Sequence, residues 1–161
     1  MKHVSDTRTD YHYYEEVSAH PLFQVIIITV LGLLVYLSVV IPHDVPKIVM
    51  GFVAIILVFI YGNFMRLRVS ISSTRLTVGY GIIQQSIRLD NIDYIETRRP
   101  AWYWYGGLGI RFGLDWSIGF IQNFKRGVRV TPKHGRKIFF STENPDAVVN
   151  IVNDLIEKNR Q

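Results

Sequence analysis

Side chains that could carry out chemistry are few in this chain, and their spacing matches no catalytic or metal-binding motif. Five histidines occur, and no two are separated by three or four residues, the spacing that lets one helix face hold a metal ion. Cysteine is absent, which removes thiolate zinc sites and a cysteine nucleophile. The GxSxG motif of serine hydrolases does not occur either. We therefore expect a protein that is not an enzyme and that uses no cofactor or metal.

A glycine-rich segment raises the possibility of nucleotide binding. Gly107, Gly109 and Gly113 form the pattern GxGxxxG, which is one residue longer than the dinucleotide fingerprint GxGxxG. That fingerprint opens a helix, whereas the residues here alternate between apolar and polar as in a strand. We expect these glycines to let a sheet bend or a backbone approach closely.

Basic residues are the best candidates for binding. The chain has eighteen Lys and Arg residues against thirteen Asp and Glu residues, and the excess lies after residue 64. An anionic leaflet attracts each nearby basic residue by about 1 kcal/mol, and aromatic side chains with polar tips suit the headgroup layer. The candidate lipid- or partner-binding residues are Arg66, Arg68, Arg98, Arg99, Trp102, Trp104, Lys125, Arg126 and Arg129.

Other interpretations of these residues stay open. The basic side chains also suit an ordinary solvated surface that faces the cytoplasm. The aromatic run Trp102–Tyr105 also suits a half-buried position in a sheet or a contact with a protein. Nucleic acid is not expected as a partner, because the chain has no nucleic-acid recognition motif.

Two apolar segments near the N-terminus determine where these residues act. Residues 22–41 and 48–64 contain no Asp, Glu, Lys, Arg or His, and about 20 apolar helical residues cross a hydrocarbon core of about 30 Å. Only residues 42–47 separate them. The sequence predicts a transmembrane helical hairpin over residues 21–64.

The basic residues that flank this hairpin predict its orientation. Arg66, Arg68 and Arg75 follow the second segment, whereas the short loop on the opposite side offers only Lys47. The positive-inside rule then places both termini in the cytoplasm and the protein in the inner or plasma membrane. Residues 1–20 are predicted to be a partly ordered cytoplasmic tail, with tyrosines that touch the headgroups or dock a partner.

After the hairpin, the hydrophobic period changes from that of a helix to that of a strand. Apolar residues alternate in short runs between residues 68 and 142, which predicts about seven strands. From Asn144 the pattern is helical, with Pro145 at the first position and apolar residues at helical spacing. Residues 65–161 are therefore predicted to form one α+β domain, a bent antiparallel sheet or barrel capped by a C-terminal helix.

Four segments of this domain resemble a known family. They are residues 106–111 (GGLGIR), 127–130 (GVRV), 135–137 (GRK) and 141–146 (STENPD), in that order before the final helix. The chain is similar to bacterial pleckstrin-homology-like membrane proteins, which have a two-helix hairpin followed by a bacterial PH domain. The resemblance implies a PH-like seven-stranded sheet capped by the C-terminal helix, and it implies no enzymatic activity.

These observations favour a membrane-anchored, non-catalytic binding or scaffold module. Its PH-like domain would recognise a protein partner, or a second copy of the chain, at an exposed sheet edge or loop. Two alternatives remain, a module that binds anionic lipid headgroups and a small accessory subunit of a larger membrane complex.

Overall fold

The computed structural model describes residues 11–19, 21–99, 107–123 and 125–159. Two long helices lie between the first strand and the remaining strands, and one helix ends the fold. The helices are α1 (Pro21–Val40), α2 (Asp44–Phe64) and α3 (Pro145–Lys158), with a 3-10 turn at Leu89–Asn91. The strands are β1 (Tyr11–Ser18), β2 (Arg66–Ser72), β3 (Arg75–Tyr80), β4 (Ile83–Arg88), β5 (Ile92–Arg98), β6 (Gly109–Phe112), β7 (Ile118–Ile121), β8 (Gly127–Pro132) and β9 (Ile138–Ser141).

Helices α1 and α2 are long and apolar enough to cross a membrane, as judged by length and composition. Ile27 is the one buried residue of α1, and α2 has none among its described residues. The apolar side chains of both helices therefore face outward and need an apolar environment. Helix α2 begins four residues earlier than the predicted apolar segment, because Pro46 is tolerated in a first helical turn.

Residues 11–18 of the predicted N-terminal tail form strand β1, which sequence reasoning did not predict. This strand pairs antiparallel with β2, from Tyr11 opposite Ser72 to Ser18 opposite Arg66. The tyrosines and Val17 suit a strand, but their partner strand lies 45 or more residues later, beyond the hairpin. The ladder also shows that the segments before and after the helical hairpin lie on the same side of it.

The strands form two sheets, with order β1-β2-β3-β4 in sheet A and β5-β8-β9-β7-β6 in sheet B. The expected count of seven is too low, since eight strands follow the hairpin and one precedes it among the described residues. The expectation of an entirely antiparallel sheet is also wrong, because β7 runs parallel to β9. Strand β9 lies between β8 and β7, and these two strands run in opposite directions. A strand placed between them must therefore run parallel to one of them, and β9 runs parallel to β7. No ladder joins the described strands of the two sheets into a closed barrel.

The main core lies between the sheets and α3. Leu67, Val69 and Ile71 of β2 are completely buried, as the strand alternation predicted. Helix α3 covers the core with the predicted apolar stripe, of which Val148 and Val152 are completely buried. Asn144 is the N-cap residue as predicted, but its side chain makes no capping hydrogen bond.

The glycine-rich segment leads into a strand, as predicted. Gly109 begins β6, and Gly113 lies in the turn between β6 and β7. Gly107 and Gly109 have φ values of +141° and +91°, which glycine adopts without a side-chain clash. The segment is therefore a bend before an edge strand and not the opening of a nucleotide-binding helix.

Candidate functional site

Strand β4 is an exposed edge of sheet A. It pairs with β3 on one side and has no strand neighbour on the other side among the described residues. Strand alternation places Ile83, Gln85 and Ile87 on one face, and of these only Ile87 is buried. Residues 83–86, the first part of β4, are all exposed. Its backbone groups and side chains are thus accessible.

A groove of about 530 Å³ lies beside this edge. One wall is residues 85–88 of β4, and the opposite wall comes from sheet B. Ile87, Ile118 and Ile138 contribute apolar surface, and His134 and Arg136 in the β8–β9 turn contribute polar surface. The groove can therefore accept alternate side chains of an extended chain laid along β4.

The basic residues around this groove give it a charge preference. Two basic residues, Arg88 and Arg136, line the groove. Arg88 pairs with Asp90 at 2.6 Å. Since Asp90 balances Arg88, Arg136 leaves an excess of one positive charge at the groove, which favours an acidic ligand.

Arg66 and Arg68 lie on the outer face of β2, next to the end of α2. Both contact Glu16 of β1, at 3.5 Å from Arg66 and 3.1 Å from Arg68. The Tyr14 hydroxyl also donates to the Glu16 carboxylate at 2.5 Å. This hydrogen bond, followed by the two arginines, holds the pKa of Glu16 below its usual value. The carboxylate is therefore ionised at neutral pH and orders both guanidinium groups.

Arg75 does not lie beside the apolar helices, which corrects the interpretation that it flanks the helical hairpin. Strand β2 carries the chain away from α2 by about 3.3 Å per residue, which is about 20 Å over its length. Arg75 follows the turn at the far end of β2. Of the three arginines after the second apolar segment, only Arg66 and Arg68 remain near the helices.

Four other predicted binding residues are brought to one end of sheet B. Arg98 lies opposite Gly127, so Arg98 and Arg99 adjoin Lys125 and Arg126. The same end of the sheet includes Gln122, whose side-chain amide donates to the Met65 carbonyl at 3.0 Å. These four basic residues therefore share the end that faces the helical hairpin, although Arg98 and Lys125 contact Glu96 and Glu143.

Arg129 differs from the other candidates. Its guanidinium contacts the Asp115 carboxylate, and both side chains are largely buried. Asp115 also accepts a hydrogen bond from the Ser117 hydroxyl at 2.5 Å. Arg129 thus links β8 to the β6–β7 turn, and its charge is balanced within the fold.

The predicted aromatic residues Trp102 and Trp104 lie outside the described residues. Elsewhere, the β6–β7 hairpin exposes Phe112, Leu114 and Trp116. Trp116 has a φ of +60°, a conformation that costs a residue with a side chain about 1–2 kcal/mol. Sequence reasoning did not single out these three residues.

Sequence reasoning also missed the polar residues at the junction of the helices and sheet A. Glu16 and Ser18 come from β1, Gln24 from α1 and Asn63 from α2. The sequence did contain one signal for this cluster, because all four polar residues lie at or near the ends of the long apolar segments. Their proximity to Arg66 and Arg68 depends on the β1–β2 ladder, which the sequence pattern did not reveal.

In the part of the chain that the structure describes, no three His, Asp or Glu residues lie close enough together to hold a metal ion. Comparisons with protein-family models, with curated proteins and with solved structures gave no match. The function must therefore be argued from the surfaces described above.

Proposed function

We propose that this chain is a membrane-anchored, non-catalytic binding module that recognises an extended acidic segment of a partner protein. The observation that carries the proposal is the exposed edge strand β4 beside a groove with apolar and basic walls. An extended peptide that adds to a sheet edge gains affinity from main-chain hydrogen bonds and specificity from pockets for alternate side chains.

The dimensions and chemistry of the groove support this mode of recognition. Strand β4 has six residues, which span about 20 Å and offer several unpaired backbone groups. Alternate partner side chains would reach Ile87 and Ile118 in the groove. Acidic residues in the partner would pair with Arg136, which makes no ion pair among the described residues.

The membrane placement is part of the same proposal. Helices α1 and α2 would span the inner or plasma membrane, and Arg66 and Arg68 at their sheet-side ends would hold both termini in the cytoplasm. The sequence resemblance supports a PH-like character for the domain as part of this proposal. A position as an accessory subunit of a larger membrane complex is consistent with such a module.

Site-specific photo-cross-linking in native membranes tests the proposal. A photoreactive residue replaces Gln85 on the β4 edge, and the matched control replaces Asn153, which is also exposed and lies on α3. We expect an adduct from position 85 whose mass differs from twice that of the chain, and no adduct from position 153.

Two further outcomes change the conclusion. An adduct at twice the mass of the 18.6 kDa chain would show that a second copy occupies the edge. Equal cross-linking at both positions, or none at position 85, would refute recognition at β4. Arg136→Glu is expected to weaken the adduct, because it reverses the charge beside the edge.

A further inference from the structure

A polar cavity of about 370 Å³ lies at the junction of the helical hairpin and sheet A. Ser18 and Gln24 line it from the end of β1 and the start of α1, and Asn63, Arg66 and Arg68 line it from the end of α2 and the start of β2. The volume falls within the range of small-ligand sites, about 300–1,000 Å³. The cavity thus combines groups from both chain segments that flank the membrane-compatible helices.

The cavity carries one net positive charge. The guanidinium groups of Arg66 and Arg68 face a single carboxylate, that of Glu16. The side chain of Arg66 is 68% exposed and that of Arg68 is 49% exposed. Each guanidinium has five N–H donors, and the contacts with Glu16 engage one nitrogen of each. Donors therefore remain for an anion, and guanidinium geometry suits phosphate oxygens.

The ends of the two helices determine where the cavity lies along the helix axes, and so its depth relative to a bilayer that the helices span. Helix α1 begins at Pro21 and α2 ends at Phe64, so the cavity lies directly beyond the apolar segments. For helices that span the hydrocarbon core, this is the layer of lipid phosphates. The surrounding medium would therefore present phosphate to the cavity at high local concentration.

The β3–β4 turn borders the cavity and adds an apolar contact. Gly81 has a φ of +41°, and a Cβ atom there would approach the Asn63 Oδ1 atom to 2.5 Å. This close packing holds the turn against the last turn of α2. The next residue, Ile82, is 75% exposed, and from the phosphate layer its apolar side chain can reach the adjoining end of the acyl chains.

We propose that this cavity binds the phosphate of an anionic phospholipid from the surrounding bilayer. Arg66 and Arg68 donate hydrogen bonds to the phosphate oxygens, Gln24 and Asn63 border the headgroup, and Ile82 lies beside the acyl chains. This site is separate from the β4 groove and adds a lipid ligand to the proposed partner recognition.

Native mass spectrometry of the full chain in a neutral detergent tests the site. The protein is titrated separately with phosphatidylglycerol, phosphatidylcholine and inorganic phosphate. We expect one retained phosphatidylglycerol, weaker retention of phosphatidylcholine because choline offsets the phosphate charge, and no comparable binding of inorganic phosphate. The double variant Arg66→Gln/Arg68→Gln is expected to weaken phosphatidylglycerol binding by about tenfold or more, since two charge-assisted contacts are lost.

A matched control separates a site from general electrostatics. Arg75→Gln/Lys158→Gln removes the same charge at the far end of β2, where Asn159 donates to the Ser73 carbonyl at 2.9 Å, and is expected to leave retention unchanged. Should the double variant at the cavity unfold, Arg66→Gln alone replaces it, because Arg66 is the more exposed and the more distant from Glu16. An unchanged affinity in the cavity variants, or an equal loss in the control, would overturn the proposal. Equal affinity for inorganic phosphate would show an anion site that does not select lipid.

Discussion

Replacement of residues 20–64 by the dipeptide Asn-Gly is expected to yield a folded domain without its membrane-compatible helices. Ser18 lies opposite Arg66, and the Ala19 amide donates to the Met65 carbonyl at 2.8 Å. Paired strand ends with this register can be joined by a two-residue hairpin turn, and Asn-Gly is a favoured sequence for such a turn. We call this polypeptide, residues 11–19 joined through Asn-Gly to residues 65–159, the linked domain.

The contribution of β1 to the linked domain can be estimated from its contacts. Val17 is 2% exposed, and burial of a valine side chain contributes about 1.5–3 kcal/mol. The Glu15 carboxylate accepts hydrogen bonds from the Thr142 hydroxyl and, at 2.7 Å, from the Glu143 amide. Charge-assisted bonds of this kind contribute about 1.5–3 kcal/mol when buried, and less here because Glu143 is exposed. The main-chain hydrogen bonds between β1 and β2 are expected to offset the entropy of ordering the strand, so these side-chain contacts set the net contribution of β1 at about 3 kcal/mol.

Urea unfolding followed by circular dichroism measures this contribution. The comparison is a chain of identical length in which residues 11–18 are replaced by glycine and serine, so that linker and terminus are matched. With a denaturant slope of about 1–1.5 kcal/mol/M, the loss of about 3 kcal/mol lowers the urea midpoint by about 2–3 M. Equal midpoints for the two chains would refute the conclusion that β1 is an integral strand of sheet A.

Two further predictions concern single side chains. Tyr80 is 1% exposed and its hydroxyl has no hydrogen-bond partner among the described residues. Tyr80→Phe is therefore expected to raise the free energy of unfolding of the linked domain by about 1 kcal/mol. A lower free energy of unfolding in the variant would mean that the hydroxyl has a partner. The lowered pKa of Glu16 means that folding favours its ionised form, so its stabilisation is fully present above the unfolded pKa, near 4.5, and is lost as the pH falls through the folded pKa. Glu16→Gln should therefore lower thermal stability at pH 7 and flatten its decline below about pH 4.5; parallel pH profiles for the two proteins would contradict this.

Much of the local structure was predictable from residue patterns. The alternation in residues 66–80 placed Val69, Ile71, Leu76 and Val78 on the buried face, because side chains on a strand alternate between its two faces. Asn144 and Pro145 marked the start of α3 for a similarly local reason. Such features depend on neighbours within a few residues, and sequence periodicity reports those neighbours directly.

The candidate sites were less predictable, because each depends on residues far apart in the chain. Arg129 has the same charge as Arg126, but its contact with Asp115 makes it part of the fold. Arg66 and Arg75 follow the same apolar segment, yet one strand length separates them. Charge and nearness in sequence therefore identified basic residues without showing which of them remain accessible.

The sequence by itself determined the two apolar helices, the strand-rich domain and the C-terminal amphipathic helix, since each follows from periodicity and length. Only the tertiary structure showed that β2 pairs with β1, which lies on the other side of the hairpin in sequence. It also showed that β9 lies between β7 and β8 and that β4 is an open edge. Strand pairing satisfies backbone groups with partners at any sequence distance, so many pairings fit one local pattern. The choice among them is made by the burial of the whole core, which is a property of the complete fold.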